Sequence, residues 1–175
     1  MSSPRTQTIP GVAPPPRPRR ASPTTRHELL GALERGATWS ERARRAWLER
    51  ALSDVAEPAP LVPCTDAAWL HALEQLRRRL DDLIAGREGF VHGLVYRGVV
   101  ARERGAWRIR SREVHDAAGA LVAALARDVL TSRGAYDDEL CACAACGRHR
   151  FVTPRERATR ACRCGGRGEA SSARC

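Results

Sequence analysis

The stretch DAAWLHALEQLRRRLDDLIA, residues 66–85, decides the fold class. Trp69, Leu70, Leu73, Leu76, Leu80, Leu83 and Ile84 recur at spacings of three and four, which places them on one core-facing stripe of an α-helix. Thr65 stands where an N-cap is needed and Gly86 where a helix stops. Arg77, Arg78 and Arg79 make a basic run, but Asp81 and Asp82 beside them mark a solvated helix face.

Upstream, Leu29, Leu30 and Leu33 give a short helix over about Arg26 to Arg35, ending near Gly36. Thr38-Trp39-Ser40-Glu41 fits a capping box with Thr38 as the cap. The helix it opens carries Trp47, Leu48, Ala51, Leu52 and Val55 on its apolar face and ends before Pro58. The preceding residues, 1–23, hold seven prolines and almost no large apolar side chain, so they cannot bury enough surface to offset the entropy of ordering. They are expected to be a disordered Pro/Arg-rich tail, and the prolines oppose the amphipathic helix of a transit peptide.

Downstream, Val91, Leu94, Val95, Val99, Val100, Trp107 and Ile109 are β-formers broken by Glu103-Arg104-Gly105, which predicts a β-hairpin at about 90–110. Trp107 and Ile109 alternate with Arg108 and Arg110, giving one apolar and one basic face that Arg97, Arg102, Arg104 and Arg112 extend. Such a ribbon is either an ordinary half-exposed hairpin or a wing that touches phosphate, with Tyr96 available for stacking. A further helix, Arg112 to Thr131 with Ser111 as cap, presents Val114, Ala118, Leu121, Val122, Leu125 and Val129 and ends near Gly134. Helices followed by a small hairpin loosely resemble a winged helix-turn-helix, with the long Leu-rich helix in the place before the ribbon. Residues 24–135 are therefore expected to form one helical core domain, mainly α with a small β-hairpin.

Composition agrees with that class. Apolar residues make up 43% of the chain but aromatics only 5%, which favours helices over a large sheet. No window approaches the roughly 18 uninterrupted apolar residues of a membrane span, so a cytoplasmic protein without a membrane partner is expected. All 30 basic residues are arginine, a bias that partly reflects GC-rich codon preference. Placement is more informative than the total: residues 1–26 carry +5, residues 141–175 carry +6, and the segment between is nearly neutral at −1.

Five of the seven cysteines fall within residues 141–164, as Cys141-Ala-Cys143-Ala-Ala-Cys146-Gly147 and Cys162-Arg-Cys164-Gly165-Gly166. Cys143-x2-Cys146-Gly and Cys162-x-Cys164-Gly-Gly resemble the two knuckles of a zinc ribbon, the second shortened from the usual C-x2-C. The resemblance covers residues 141–166 and implies a structural Zn(2+) held by Cys143, Cys146, Cys162 and Cys164, with a glycine after each knuckle taking left-handed backbone. Arg148 to Thr153 and Ala158 to Ala161 would then form a hairpin around Pro154-Arg155-Glu156-Arg157. Cys141 or His149 as a replacement ligand, and an iron-sulfur cluster, stay open as alternatives. Residues 167–175 are expected to be a disordered C-terminus.

Four thiolates leave no coordination position for substrate, and no phosphate-cradling loop, HExxH helix or nucleophile elbow occurs, so no catalytic residue or small-molecule substrate is assigned. Two functions follow from the ribbon. Arg148, Arg150, Arg155, Arg157, Arg160, Arg163 and Arg167 surround the cysteines, with Phe151 placed to stack or pack, which suits a nucleic-acid-binding or regulatory protein acting on DNA or RNA. The alternative is a protein-protein adaptor that docks through its ribbon within a larger complex.

Overall fold

In the computed structural model the described residues are 24–52, 64–143 and 146–152. The expected tail 1–23, Val55 and the 53–63 connection, and everything from 153 to 175 lie outside them. Within the described residues the chain is mainly α-helical, with two small antiparallel hairpins.

Helix α1 runs Thr24–Arg35 and a 3-10 turn, Gly36–Thr38, follows at once. The turn is held by tertiary contact: Trp69 Nε1 donates to the Gly36 carbonyl at 2.8 Å. A Cβ at Gly36 would sit 3.3 Å from that same nitrogen, tighter than ordinary van der Waals contact, so the close approach favours glycine. Because residues 36–38 are spent in this turn, the expected cap at Thr38 moves to Ser40, whose side chain accepts from the Ala43 amide at 3.4 Å. Thr38 instead donates its hydroxyl to the Arg35 carbonyl. Helix α2, Glu41–Ala51, buries Trp47, Leu48 and Ala51, and Trp47 meets the Trp69 ring edge-on at 6.1 Å.

Helix α3, Asp66–Ile84, matches the sequence reading closely, with Thr65 capping it and Gly86 in left-handed backbone (φ +70°) beyond its end. Trp69, Ala72, Leu73, Leu76 and Leu80 are buried, but Leu70 is 51% and Ile84 43% exposed. Leu70 stands about 100° around the helix from Trp69, at the edge of the stripe rather than on it.

Residues 89–96 depart from expectation. The predicted strand character of Phe90 to Tyr96 gives way to helix α4, Gly89–Tyr96. Val91 and Leu94, three apart, both reach the core from one helical face, and burial overrides the β propensity of the valines. The hairpin is confined to β1, Val100–Glu103, and β2, Ala106–Ile109, joined at Arg104 and Gly105, both with positive φ (49° and 83°), as a tight two-residue turn needs. Its register pairs Val100 with Ile109 and Arg102 with Trp107. Directly paired residues share a face, so Arg102 lies on the Trp107 face and not with Arg108 as expected.

Helix α5 is Ala117–Thr131; its start is set by Asp116, whose carboxylate accepts the Gly119 amide at 2.6 Å. The expected start at Arg112 fails because Ser111–Glu113 form a 3-10 turn that carries Val114 into the core first. Ala117, Ala120, Ala123, Ala124, Ala126, Leu121 and Leu125 are all fully buried. Helices α1 to α4 and strands β1 and β2 pack around α5, the broadest contact being with α3. A short helix α6, Arg133–Asp138, then runs through Gly134, where the sequence suggested only an end.

Leu76, fully enclosed between α3 and the surrounding core, tests this arrangement. Leu76→Ala is expected to lower unfolding free energy by about 2–5 kcal/mol, read from urea denaturation followed by helical circular dichroism.

Candidate metal knuckle and adjacent cleft

The segment after α6 forms a second hairpin, β3 (Leu140–Ala142) with β4 (His149–Phe151), pairing Leu140 with Phe151, Cys141 with Arg150 and Ala142 with His149. The pairing of Arg148 to Thr153 with Ala158 to Ala161 expected from the sequence involves residues outside the described ones, and β3 occupies one edge of β4. The observed partner of β4 lies upstream, where a short turn closes the pair locally at low entropic cost; residues 158–161 lie outside the described residues.

That turn contains Cys143 and Cys146. The Cys143 amide donates to the Arg148 carbonyl at 2.9 Å, and the Gly147 amide donates back to the Cys143 carbonyl at 2.7 Å. Gly147 has φ +66°, so the residue after the second cysteine takes the left-handed conformation that L side chains disfavour. Cys143 is buried and Cys146 exposed at the turn. Cys162 and Cys164 lie outside the described residues, as do Arg155, Arg157, Arg160 and Arg163. Among the described residues no group of three or more His, Cys, Asp or Glu is placed to hold a metal ion. Two of the four expected ligands, Cys143 and Cys146, therefore stand within one turn, and the other two lie outside the described residues.

The hairpin is fastened to the core by side chains from several helices. His149, with its ring buried, sets Nε2 2.8 Å from Asp81 Oδ1 on α3, so this candidate ligand is engaged with a carboxylate. Phe151 meets the Tyr136 ring edge-on at 5.1 Å, and the Arg26 guanidinium lies 5.3 Å over the other ring. Arg26 also reaches Glu139 at 3.3 Å, and the Val152 amide donates to the Glu139 carbonyl at 2.8 Å. Phe151 thus packs against Tyr136. Arg150 is half-buried within β4, opposite Cys141, and Arg148 is exposed just before the strand.

Beneath Phe151, the Tyr136 hydroxyl donates to Asp128 Oδ2 at 2.6 Å, with both residues buried. Burial pushes the Asp128 carboxyl above the usual carboxylate range, and the Tyr136 hydrogen bond pulls it partly back. Burial, then the neighbouring Asp128, raises the Tyr136 phenol far above its ordinary value.

Between α1, α3 and the knuckle turn lies a cleft of about 400 Å³, lined by Leu30, Leu33, Glu34, Arg35, Arg77, Cys146, Gly147, Arg148 and His149. The sequence reading missed its core side. Leu30 and Leu33 have the spacing of core residues and Arg77 that of a solvated face, and no sequence signal brings them to Cys146. Compared with protein-family models, curated proteins and solved structures, the chain shows no match to any.

The Tyr136 and Asp128 pair has a defined pH signature. A carboxyl raised by folding contributes stability that is fully present below its unfolded pKa and lost as pH rises through the folded value. Removing the hydrogen bond that favours the charged form should therefore hurt most at high pH. Tyr136→Phe is expected to cost about 1–3 kcal/mol near pH 8, with the penalty shrinking as pH is lowered through the raised Asp128 titration, measured from urea midpoints across the acid range.

Proposed function

We propose that residues 141–166 are a zinc ribbon in which Cys143, Cys146, Cys162 and Cys164 hold one structural Zn(2+), and that the protein uses this arginine-rich module to bind DNA or RNA. The observation that carries the reading is the turn from Cys143 to Gly147: two cysteines three apart, a left-handed glycine immediately after, and reciprocal backbone hydrogen bonds that close the loop. A turn of this kind can present two thiolates to one ion, and the second C-x-C-G-G segment supplies the remaining two. Zinc in such a set has no open position, so its contribution is folding free energy rather than Lewis-acid chemistry.

The charge supports nucleic acid over a protein partner. Residues 141–175 carry +6, and each phosphate they neutralise releases a condensed counterion. Among the described residues the exposed large hydrophobics are Leu70, Ile84 and Tyr96, and Leu70 and Ile84 lie 14 residues apart on α3, or about 21 Å along the axis.

The reduced, purified protein is expected to contain one zinc per chain by elemental analysis. Cys146→Ser should release it and expose the β3 and β4 amides to exchange while the helical signal persists. Iron in place of zinc, or no metal at all, would overturn the ribbon. Replacing Arg148, Arg150, Arg155 and Arg157 with Gln should leave zinc bound and make the dependence of log affinity on log salt shallower by roughly 0.7–0.9 per lost phosphate contact. Unchanged affinity and slope would move the assignment to a docking adaptor.

A further inference from the structure

Most arginines on the helices already have acidic partners. Arg45 pairs with Glu41, Arg78 with Glu74, Arg79 and Arg87 with Asp82, and Arg133 with Glu88. Arg35, Arg77 and Arg148, like Arg42, Arg97, Arg102 and Arg104, have no carboxylate partner among the described residues. The first three come from α1, α3 and the knuckle turn, yet all line the same cleft. Among the described residues of its wall Glu34 is the one acidic side chain, against three arginines.

The cleft also has an apolar floor, the half-buried Leu30 and Leu33. Gly31 between them leaves room for the Arg35 guanidinium, which lies 3.2 Å from where a Cβ would stand. Guanidinium forks match phosphate oxygens in bidentate geometry, and an apolar floor accepts a sugar or the face of a base. A concave site of about 400 Å³ is on the scale of a small ligand. Duplex is read by convex elements entering a groove about 12 Å wide, whereas a flexible single strand can lay one or two nucleotides into a cleft.

We propose that this cleft is a phosphate subsite for single-stranded nucleic acid, clamped by Arg35, Arg77 and Arg148 over Leu30 and Leu33. The inference rests on the nucleic-acid reading of the ribbon and extends the contact surface from the ribbon onto the helical core. It also assigns a use to the junction: the strand that the basic ribbon attracts is held where ribbon and core meet. Because Arg35 and Arg77 lie outside the cysteine-rich segment, they can be altered without touching a candidate metal ligand.

The test uses the full-length, zinc-loaded protein and a fluorescein-labelled oligothymidine, single-stranded or annealed to its complement, with anisotropy titrations over a range of salt. Arg35→Gln with Arg77→Gln is expected to weaken single-strand binding about tenfold or more and to make its salt slope shallower by about 1.4, or 0.7 per phosphate contact. Duplex binding should change less. Arg35→Lys with Arg77→Lys should restore most of the slope, because it returns the charge without the fork. Zinc content and helical circular dichroism should match wild type in both variants. If the Gln variant keeps the wild-type slope on single strands, the cleft is not the subsite and the ribbon reading stands alone. If it loses zinc, the arginines serve the metal centre and the subsite is overturned. If the wild-type protein binds neither oligonucleotide at low salt, the nucleic-acid reading falls and this inference falls with it.

Discussion

Burial of one alanine-rich helix, α5, on most of its sides is the constraint from which the rest of the structure follows. Side chains as small as alanine let neighbouring helices approach towards the near end of the usual 8–10 Å interaxial range, and α5 turns such positions to several neighbours at once. A helix enclosed in this way has little solvated face left for its polar residues. Asp128 is accordingly buried, and a buried carboxylate without a donor would cost several kcal/mol, on the order of 1–3 or more. Tyr136 supplies the donor. That requirement positions α6, and α6 leads directly into β3, so the orientation of the cysteine-bearing hairpin traces back to the packing of α5.

The hairpin is in turn held by chemistry that differs at each contact. Tyr136 gives an aromatic edge, Arg26 a cation over the Phe151 ring, Asp81 a partner for buried His149, and Glu139 a backbone acceptor. These contacts reach α1, α3 and α6, elements that also wall the core. The cleft beside Cys146 exists because the knuckle turn is braced against α1 and α3 rather than hanging from the end of α6. A metal bound by the turn would therefore stiffen a surface already joined to the helical bundle.

The arginine-only composition gains meaning from this arrangement. Exposed helix pairs such as Arg78 with Glu74 are worth only tenths of a kcal/mol, roughly 0.3–0.5 each, and serve chiefly to neutralise a solvated face. The Arg44 guanidinium is buried and answered by Asp66 at the start of α3, while Arg79 lies over Phe90 as well as pairing with Asp82. Against these paired cations, the cleft gathers three arginines that have no carboxylate partner among the described residues. The hairpin β1–β2 shows the opposite outcome, since Arg110 pairs with Glu103 and Arg102 turns to the Trp107 face, which divides the basic surface that simple alternation suggested.

What the sequence determined by itself is the part governed by local periodicity and short-range backbone chemistry. The stripe of Trp69, Leu73, Leu76 and Leu80, the Thr65 cap, the stop at Gly86 and a break between strands around Glu103-Arg104-Gly105 follow from spacing and local backbone chemistry, while the left-handed Gly147 was expected from the resemblance of its motif. Tertiary structure decided what depends on a distant partner. Residues 89–96 became a helix because Val91 and Leu94 found the core on one face, and Thr38 lost its cap role because Trp69 pinned the Gly36 turn. The candidate site divides the same way. The cysteines and their glycine lie within five residues of chain and can be read as a candidate motif locally, whereas Leu30, Arg35, Arg77 and Arg148 come from separate segments whose convergence only the packing of α1, α3 and the hairpin creates.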